Sequence, residues 1–409
     1  MLQIYSTDTP NLVGLHQTIE ESVEEGIRIA DTTELKKLVQ GQRDKYRKEL
    51  QDVYGILNPN SSKQVIEAFK QLALGEVPCI FDICYDEAKD KWTTNAEKLA
   101  ELKMLEIPIA FTLSNYRVLN NILSTLTTLD DLKDSNGYVH PVVSYGKTGR
   151  INYRNPALMN INKKVLWSCI VPRDDDSTLY SIDIKNQEPW ILINMLGIES
   201  LSQVLGSKGL YESMFKEWFG HTPDEIERKE FKTSWNALTY GASKKLIVER
   251  CKHIDGGIIY NNFKNIPELD AYKKECTAKG YGNKRDCETI FGTKLECDGN
   301  RGMALARQQM DYRIQGTGVD ILSFLNDNLA DKAEELGYDE MIHPYFFRHD
   351  ELIVSISNAL IDTIGEDAVE AFLKDTFEHQ IDNWVPFQVE ISKVAGVSDL
   401  SSLMTDDDE

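Results

Sequence analysis

The sequence lacks any uncharged apolar run approaching the roughly 20 residues a membrane-spanning helix needs, so no membrane association is expected. Its first residues, MLQIYSTDTPNLV, have no basic region followed by an apolar block and do not form a secretory signal. No cysteine pair has a metal-binding C-x-x-C spacing. Cys251, Cys276, Cys287 and Cys297 lie near one another in the chain but are expected to be ordinary reduced packing thiols in a cytoplasmic setting. Internal repeats are absent, and the acidic tail TDDDE is the sole low-complexity stretch. Positive charge is also in deficit: 45 Lys and Arg face 66 Asp and Glu, a net charge of −21. Taken alone, that total argues against a nucleic-acid binder, which usually carries a basic surface.

The charge is segregated, however. Residues 361–409 hold 13 acidic and 2 basic side chains, over half the acidic excess. Residues 228–252 hold 7 basic and 2 acidic, and residues 271–313 hold 9 basic and 6 acidic. A basic middle can grip phosphates while an acidic back face stays solvated.

At 409 residues the chain suits two or three subdomains sharing a continuous core. Residues 32–54 place Leu35, Leu38, Val39, Tyr46, Leu50 and Val53 at helical spacing, with Gly41 a weak point. Asn60 or Ser61 caps a second helix that Gly75 ends. A further helical stretch is expected over 96–128. Residues 138–182 are rich in β-branched and turn residues, 187–285 are mainly helical, and 303–337 form a long helix. An apolar hairpin over 345–356 and a final strand over 384–396 follow. The order indicates an α+β protein whose sheet is assembled from distant segments.

Four segments carry chemistry. In SIDIKNQEPW, Tyr180, Ile182 and Ile184 alternate with Ser181, Asp183 and Lys185, so Asp183 points off the apolar face near a strand end. That position suits either a metal ligand or a helix cap. In YFFRHDELIVSI, two apolar runs flank Arg348-His349-Asp350-Glu351, placing carboxylates at a hairpin tip. Turn acids are usually structural. Paired with Asp183, however, they can hold two Mg²⁺ ions roughly 3.5–4 Å apart for phosphoryl transfer.

In HTPDEIERKEFKTSWNALTYGAS, Thr222-Pro223-Asp224-Glu225 reads as a capping box with proline at the first helical position. Arg228, Lys232, Asn236 and Tyr240 then recur every four residues as one drifting stripe. Cations followed by an aromatic ring match the phosphates and base of a nucleoside triphosphate, although a solvated helix face has equal standing on this segment alone. In RQQMDYRIQGTGVDIL, Arg307 and Gln315 can share a helix face, and Gly316 and Gly318 permit close backbone approach. Arginine and glutamine can read minor-groove acceptors.

Taken together, these segments resemble family A DNA polymerases, the group of bacterial DNA polymerase I. Asp183 and Glu188 resemble the family's motif A. Arg228-x3-Lys232-x7-Tyr240-Gly241 resembles motif B, and His349-Asp350-Glu351 resembles motif C. Thr148-Gly149-Arg150 is similar to its T-G-R segment and Ile314-Gln315-Gly316-Thr317 to its Q-G-T segment. ILNPNSSKQVIEAF is similar to the thumb signature, and YRVLNNILST to the helix leading into the palm. The resemblance implies a right-hand fold with an antiparallel palm sheet flanked by helices. Residues 1–29 would be a palm-associated segment, 30–99 the thumb, 100–191 the first part of the palm, 192–304 the fingers, and 305–409 the rest of the palm with the acidic tail.

The resemblance also implies roles. Asp183 and Asp350 would bind two Mg²⁺ ions, replaceable by Mn²⁺, with the Ile184 carbonyl assisting and Glu351 nearby. Glu188 would exclude a ribose 2′-hydroxyl. Arg228 and Lys232 would hold the triphosphate, with Lys232 able to protonate pyrophosphate, and Tyr240 would stack near the templating position. Arg150, Asn160, Arg307, Gln315 and His349 would follow the primer–template duplex. The sequence departs from the family at Asn236, where an aromatic residue normally meets the incoming sugar, and at Tyr211, which aligns with a phosphate-contacting histidine. Trp190, Ala157 and Met159 depart as well. These differences suggest a divergent, phage-type member acting in the cytoplasm of a bacterial or infected cell.

The implied partners are primer–template DNA and deoxynucleoside triphosphates, with a separate exonuclease or replication factors able to join. The match begins near residue 16, so neither exonuclease activity is expected in this polypeptide. The tail after Leu400–Met404 is expected to be a solvated end, with docking on a replication factor as the alternative. Two other readings remain open at this point: a single-subunit RNA polymerase-like enzyme, against which Glu188 argues, and a non-catalytic replisome scaffold, against which the intact Asp183, Lys232 and Asp350 argue.

Overall fold

The computed structural model describes residues 1–75, 77–87, 89–205, 209–395 and Leu403. The acidic tail, and with it the docking expectation for residues 400–409, lies outside the described residues apart from Leu403. That side chain is buried in the main core.

The element that positions everything else is a four-stranded antiparallel sheet. Its order is Ile342–Arg348, Glu351–Ser357, Ser177–Ile184, Val389–Lys393. Thr178, Ile182 and Ile184 supply β-branched side chains to one central strand, and Ile353, Val354 and Ile356 to the other. The expected alternation along Ser177–Ile184 holds only in part. Leu179, Tyr180, Ser181 and Ile182 are all buried in succession, because this strand lies in the interior of the sheet and is covered on both faces. Ser181, expected on the polar side, is fully buried and donates its hydroxyl to Glu351. The final strand is shorter than expected, Val389–Lys393.

A helical lobe stands beside the sheet. It comprises Thr33–Tyr54, Ser62–Leu74, Ala96–Met104 and Pro108–Leu132, with its own core around Leu50, Val65, Phe69, Leu99 and Leu113. Gly41 does not interrupt the first helix. Of the two candidate caps, Ser61 is the one used: its side chain accepts from the Gln64 amide at 3.5 Å. The single stretch expected over 96–128 is two helices, the second opened by Pro108, whose missing N–H costs nothing in a first turn. The divisions expected at 99/100 and 191/192 fall inside the helices Ala96–Met104 and Gln187–Leu196.

A third group of helices, from Leu210–Phe219 to Pro267–Tyr281, shares the main core with the sheet: Trp235 and Phe263 cluster with Ile182 and Ile353. Linking the groups is the helix Met303–Leu336, about 50 Å long at 1.5 Å per residue. It packs on Pro267–Tyr281, Leu12–Glu25 and Gln187–Leu196. Every residue from Gly316 to Ser323 is buried. At Gly318 a Cβ would lie 2.6 Å from Oε1 of Gln187, so a larger residue there would push that side chain aside.

Within that buried stretch Asp320 is fully enclosed. Thr293 donates to its Oδ1 at 2.8 Å, and its Oδ2 has no partner among the described residues. Burial pushes its carboxyl up to about 6, against hydrogen bonds from Thr289 and Thr293. A carboxyl with a raised folded-state pKa destabilises the fold when ionised, and the penalty disappears as pH falls through about 6 toward 4. Asp320→Asn is therefore expected to stabilise the protein by about 2 kcal/mol near pH 8 and by little near pH 4. Urea unfolding at the two pH values checks this; an equal effect at both would contradict the assignment.

Candidate active site

Backbone pairing brings the distant acids together. Glu351 lies directly opposite Asp183 in the ladder, and Asp350 occupies the hairpin tip immediately before Glu351. His349 turns the chain there with φ 53°, a left-handed conformation that histidine tolerates better than β-branched residues. Removal from water, and then the neighbouring Asp183 charge, push the Asp350 carboxyl up to about 6. The alternative role for Asp183 as a helix cap is not realised, since Asn186 holds the N-cap position of Gln187–Leu196.

Glu351 has a different environment. Its side chain is 4 % exposed. Ser181 donates to Oε1, the Lys163 ammonium lies 2.9 Å from the same oxygen, and Arg348 is 3.9 Å from Oε2. Burial pushes this carboxyl up, and Lys163 and Ser181 oppose the shift only in part. Lys163 also lies 2.9 Å from Asp183 Oδ2. Burial pulls its ammonium down, but Glu351 and Asp183 outweigh that, so the net shift is upward. Backbone pairing thus gathers the three acids, with Glu351 engaged within the protein while Asp183 is 40 % exposed. Ile184 ends the same strand, opposite Val389.

The helix Glu225–Thr239 begins two residues later than the sequence suggested. Asp224 is the N-cap and closes a box with Glu227, at 2.9 and 3.0 Å, and Pro223 precedes it because it has no N–H to offer. The stripe of four side chains is real. Arg228 pairs with Glu212, Asn236 accepts from the Tyr211 hydroxyl at 3.1 Å, and the Tyr240 hydroxyl donates to Glu188. Lys232 is half-buried, without a hydrogen-bond or ion-pair partner among the described residues. Tyr211 is 2 % exposed. Its hydroxyl points at Asn236, so any contact with a nucleotide runs through that amide.

Glu188 is the junction of this region. Arg150 donates to one carboxylate oxygen and Tyr240 to the other. Arg150 follows a turn at Gly149, φ 81°, where a Cβ would also press on Val319 at 3.3 Å. Thr148 donates to Gln315 at 3.4 Å. Arg307 is exposed, as are Asn160 and His349. Asn160 stands apart from the carboxylates, in the short turn Leu158–Asn160.

Two residues escaped the sequence reading. Asp311 shares the helix face of Arg307 and Gln315 at intervals of four, and burial, then Glu188, push its carboxyl up to about 6. The spacing alone could have flagged it. Lys163 had a subtler signal: Lys163 and Lys164 open a helix after the cap Asn162, where cations oppose the helix dipole and need compensation elsewhere.

The family model for DNA polymerase family A matches residues 30–396, most of the chain. The chain belongs to DNA polymerase family A. It is a DNA-directed DNA polymerase. Among solved structures it is similar to the polymerase domain of Pol1 from M. smegmatis, described in complex with DNA primer–template and dNTP. The TM-score is 0.74 at 18 % identity, over 93 % of this chain and 69 % of that one, a likeness of fold. A search of curated proteins finds no match. No helix among the polymerase's described residues is long and apolar enough to cross a membrane.

The polymerase's carboxylates suit hard divalent cations. The Lys163 ammonium sits on Asp183, and the Asp183 charge in turn acts on Asp350, so the two acids lie close together. Among the described residues no group of three or more His, Cys, Asp or Glu comes together.

Because Arg150 and Tyr240 meet through Glu188, their contributions should not add. A double-mutant cycle of Arg150→Ala and Tyr240→Phe, measured by unfolding free energy, is expected to show a coupling of about 1 kcal/mol that vanishes when Glu188 is Ala. Additivity within about 0.3 kcal/mol would show that Glu188 does not tie them together.

Proposed function

We propose that Asp183 and Asp350 hold two Mg²⁺ ions, that the stripe from Arg228 to Tyr240 receives a deoxynucleoside triphosphate, and that Glu188 rejects ribonucleotides. The observation that carries this reading is the meeting of Asp183 and Asp350 at adjoining ends of neighbouring strands, with Glu188 tied to Tyr240 and Arg150 across the cleft. In this reading the sheet forms the palm, the helices after it the fingers and the separate helical lobe the thumb. The likeness to a polymerase domain described with primer–template and dNTP supports those substrates.

When bound, the ions would supply Lewis-acid polarisation of the primer hydroxyl and neutralise the departing pyrophosphate. The protein's own residues do the rest. Lys232, without an internal partner, is available to a phosphate and can lend a proton to the leaving group. Arg228 exchanges its pairing with Glu212 for triphosphate oxygens, where a guanidinium binds in a fork. Glu188, fixed by two donors, presents a rigid wall where a 2′-hydroxyl would project. Asn236, held by Tyr211, offers an amide to the sugar in place of a ring. Arg150, Arg307, Gln315 and His349 would position the DNA duplex, while base pairing selects the nucleotide. Seven free thiols support a reducing, cytoplasmic setting.

Primer extension with Mg²⁺ tests the reading. Asp183→Asn and Asp350→Asn are each expected to slow extension by about a thousandfold or more while leaving the circular dichroism unchanged. Activity retained within about tenfold in either would remove these residues from the metal site. Glu188→Ala is expected to raise ribonucleotide use relative to deoxyribonucleotide use by about tenfold or more. An unchanged ratio would remove the gate assignment.

A further inference from the structure

Lys163 is not explained by the roles above. It opens the short helix Lys163–Trp167, its side chain is 23 % exposed, and its ammonium lies over the Trp167 ring at 4.5 Å from the centroid. It divides itself between two carboxylates at equal distance, 2.9 Å from Asp183 Oδ2 and 2.9 Å from Glu351 Oε1. The two partners are unlike. Glu351 is 4 % exposed and keeps Ser181 and Arg348 even without the lysine. Asp183 is 40 % exposed and is the carboxylate assigned to the metal pair. The segment carrying Lys163 is itself anchored to the hairpin strand, because Arg348 donates to the Ile161 carbonyl at 3.0 Å. The ammonium is thus held in place by one buried acid and rests on one exposed acid.

We infer that Lys163 is the resident counter-ion of the metal-free site: it holds Asp183 in place through Glu351, and it competes with a divalent cation for Asp183, so that it sets the affinity of the empty enzyme for metal. This inference rests on the assignment of Asp183 to the metal pair. The physical basis is charge. A divalent ion on Asp183 displaces the ammonium in direct contact with that carboxylate toward solvent. That displacement weakens binding relative to a site without the lysine. In return, the lone carboxylates are neutralised when no metal is present. Lys163 is a positioning residue in this scheme and contacts no reacting atom.

Mn²⁺ binding to the full chain without DNA, followed by the electron paramagnetic resonance of free Mn²⁺, provides a readout other than activity. Lys163→Met, close in shape but uncharged, is expected to bind Mn²⁺ about tenfold more tightly than wild type. Its thermal stability in a chelator should fall below wild type, and saturating Mn²⁺ should narrow the gap. A merely structural lysine would lower stability equally with and without metal and leave the Mn²⁺ affinity unchanged, which would overturn the inference. Asp183→Asn separates the two levels. If wild type shows no Mn²⁺ site that Asp183→Asn removes, the metal assignment fails. If it does, and Lys163→Met matches wild type, only the role of Lys163 fails.

A second measurement needs no variant. Reductive methylation of the wild-type protein, read by mass spectrometry, is expected to label Lys163 several-fold faster in Mg²⁺ than in chelator, as the ammonium is released from Asp183. An unchanged labelling rate would also overturn the inference.

Discussion

The structure depends on a repulsion that the backbone enforces. Asp183 and Asp350 come from segments more than 150 residues apart, and the register that sets Glu351 against Asp183 leaves their charges no room to separate. Burial, and then the Asp183 charge, make Asp350 hold its proton more tightly. A crowding of acids of this kind persists only where surrounding packing determines it. Here the determinant is two central strands whose Leu352, Ile353, Val354 and Ile356, with Tyr180 and Ile182, are almost fully excluded from water. The hydrophobic core stabilises the sheet, and the sheet holds two acids in a place they would otherwise leave.

The same logic extends across the cleft. Glu188 follows Asp183 by five residues, so the strand that fixes one acid also aims the other. Tyr240 and Arg150, from a separate helix and a separate turn, converge on Glu188 and connect three distant segments through one carboxylate. The long helix Met303–Leu336 closes the arrangement by placing Asp311 near this junction and Gln315 against Thr148. An acidic chain can therefore act on DNA because its positive groups are local: arginines and lysines stand at the cleft, each beside an acid that tethers it or left free for phosphate.

Much of this was legible in the sequence because it rests on local periodicity. The strand around Asp183, the hairpin around Asp350 and the four-residue stripe from Arg228 to Tyr240 follow from side-chain spacing alone. What was hidden depends on which groups meet. Ser181 looked like an exposed strand position, but both faces of its strand are covered at that point, and its hydroxyl serves Glu351. The helix start moved from Pro223 to Glu225 because Asp224 is the N-cap and closes its box with Glu227. Tyr211 aligned with a phosphate ligand, yet the structure buries it and turns its hydroxyl to Asn236. Lys163 gave almost no signal, since a lysine near a helix start is common and its two partners lie 20 and 188 residues away.

Asp350 and Glu351 show how differently two adjacent acids can be housed. They are neighbours in sequence and carry the same charge, but a strand alternates its side chains, so they diverge at the hairpin tip. Glu351 enters the ladder opposite Asp183 and is enclosed by Ser181, Lys163 and Arg348. Asp350 stays in the turn, beside Asp183. One additional methylene and one step along the chain separate a carboxylate crowded by another acid from one held by two cations. Glu351 also sits opposite Asp183 and holds the lysine that pairs with Asp183, so the crowded acids are offset by a cation within the protein.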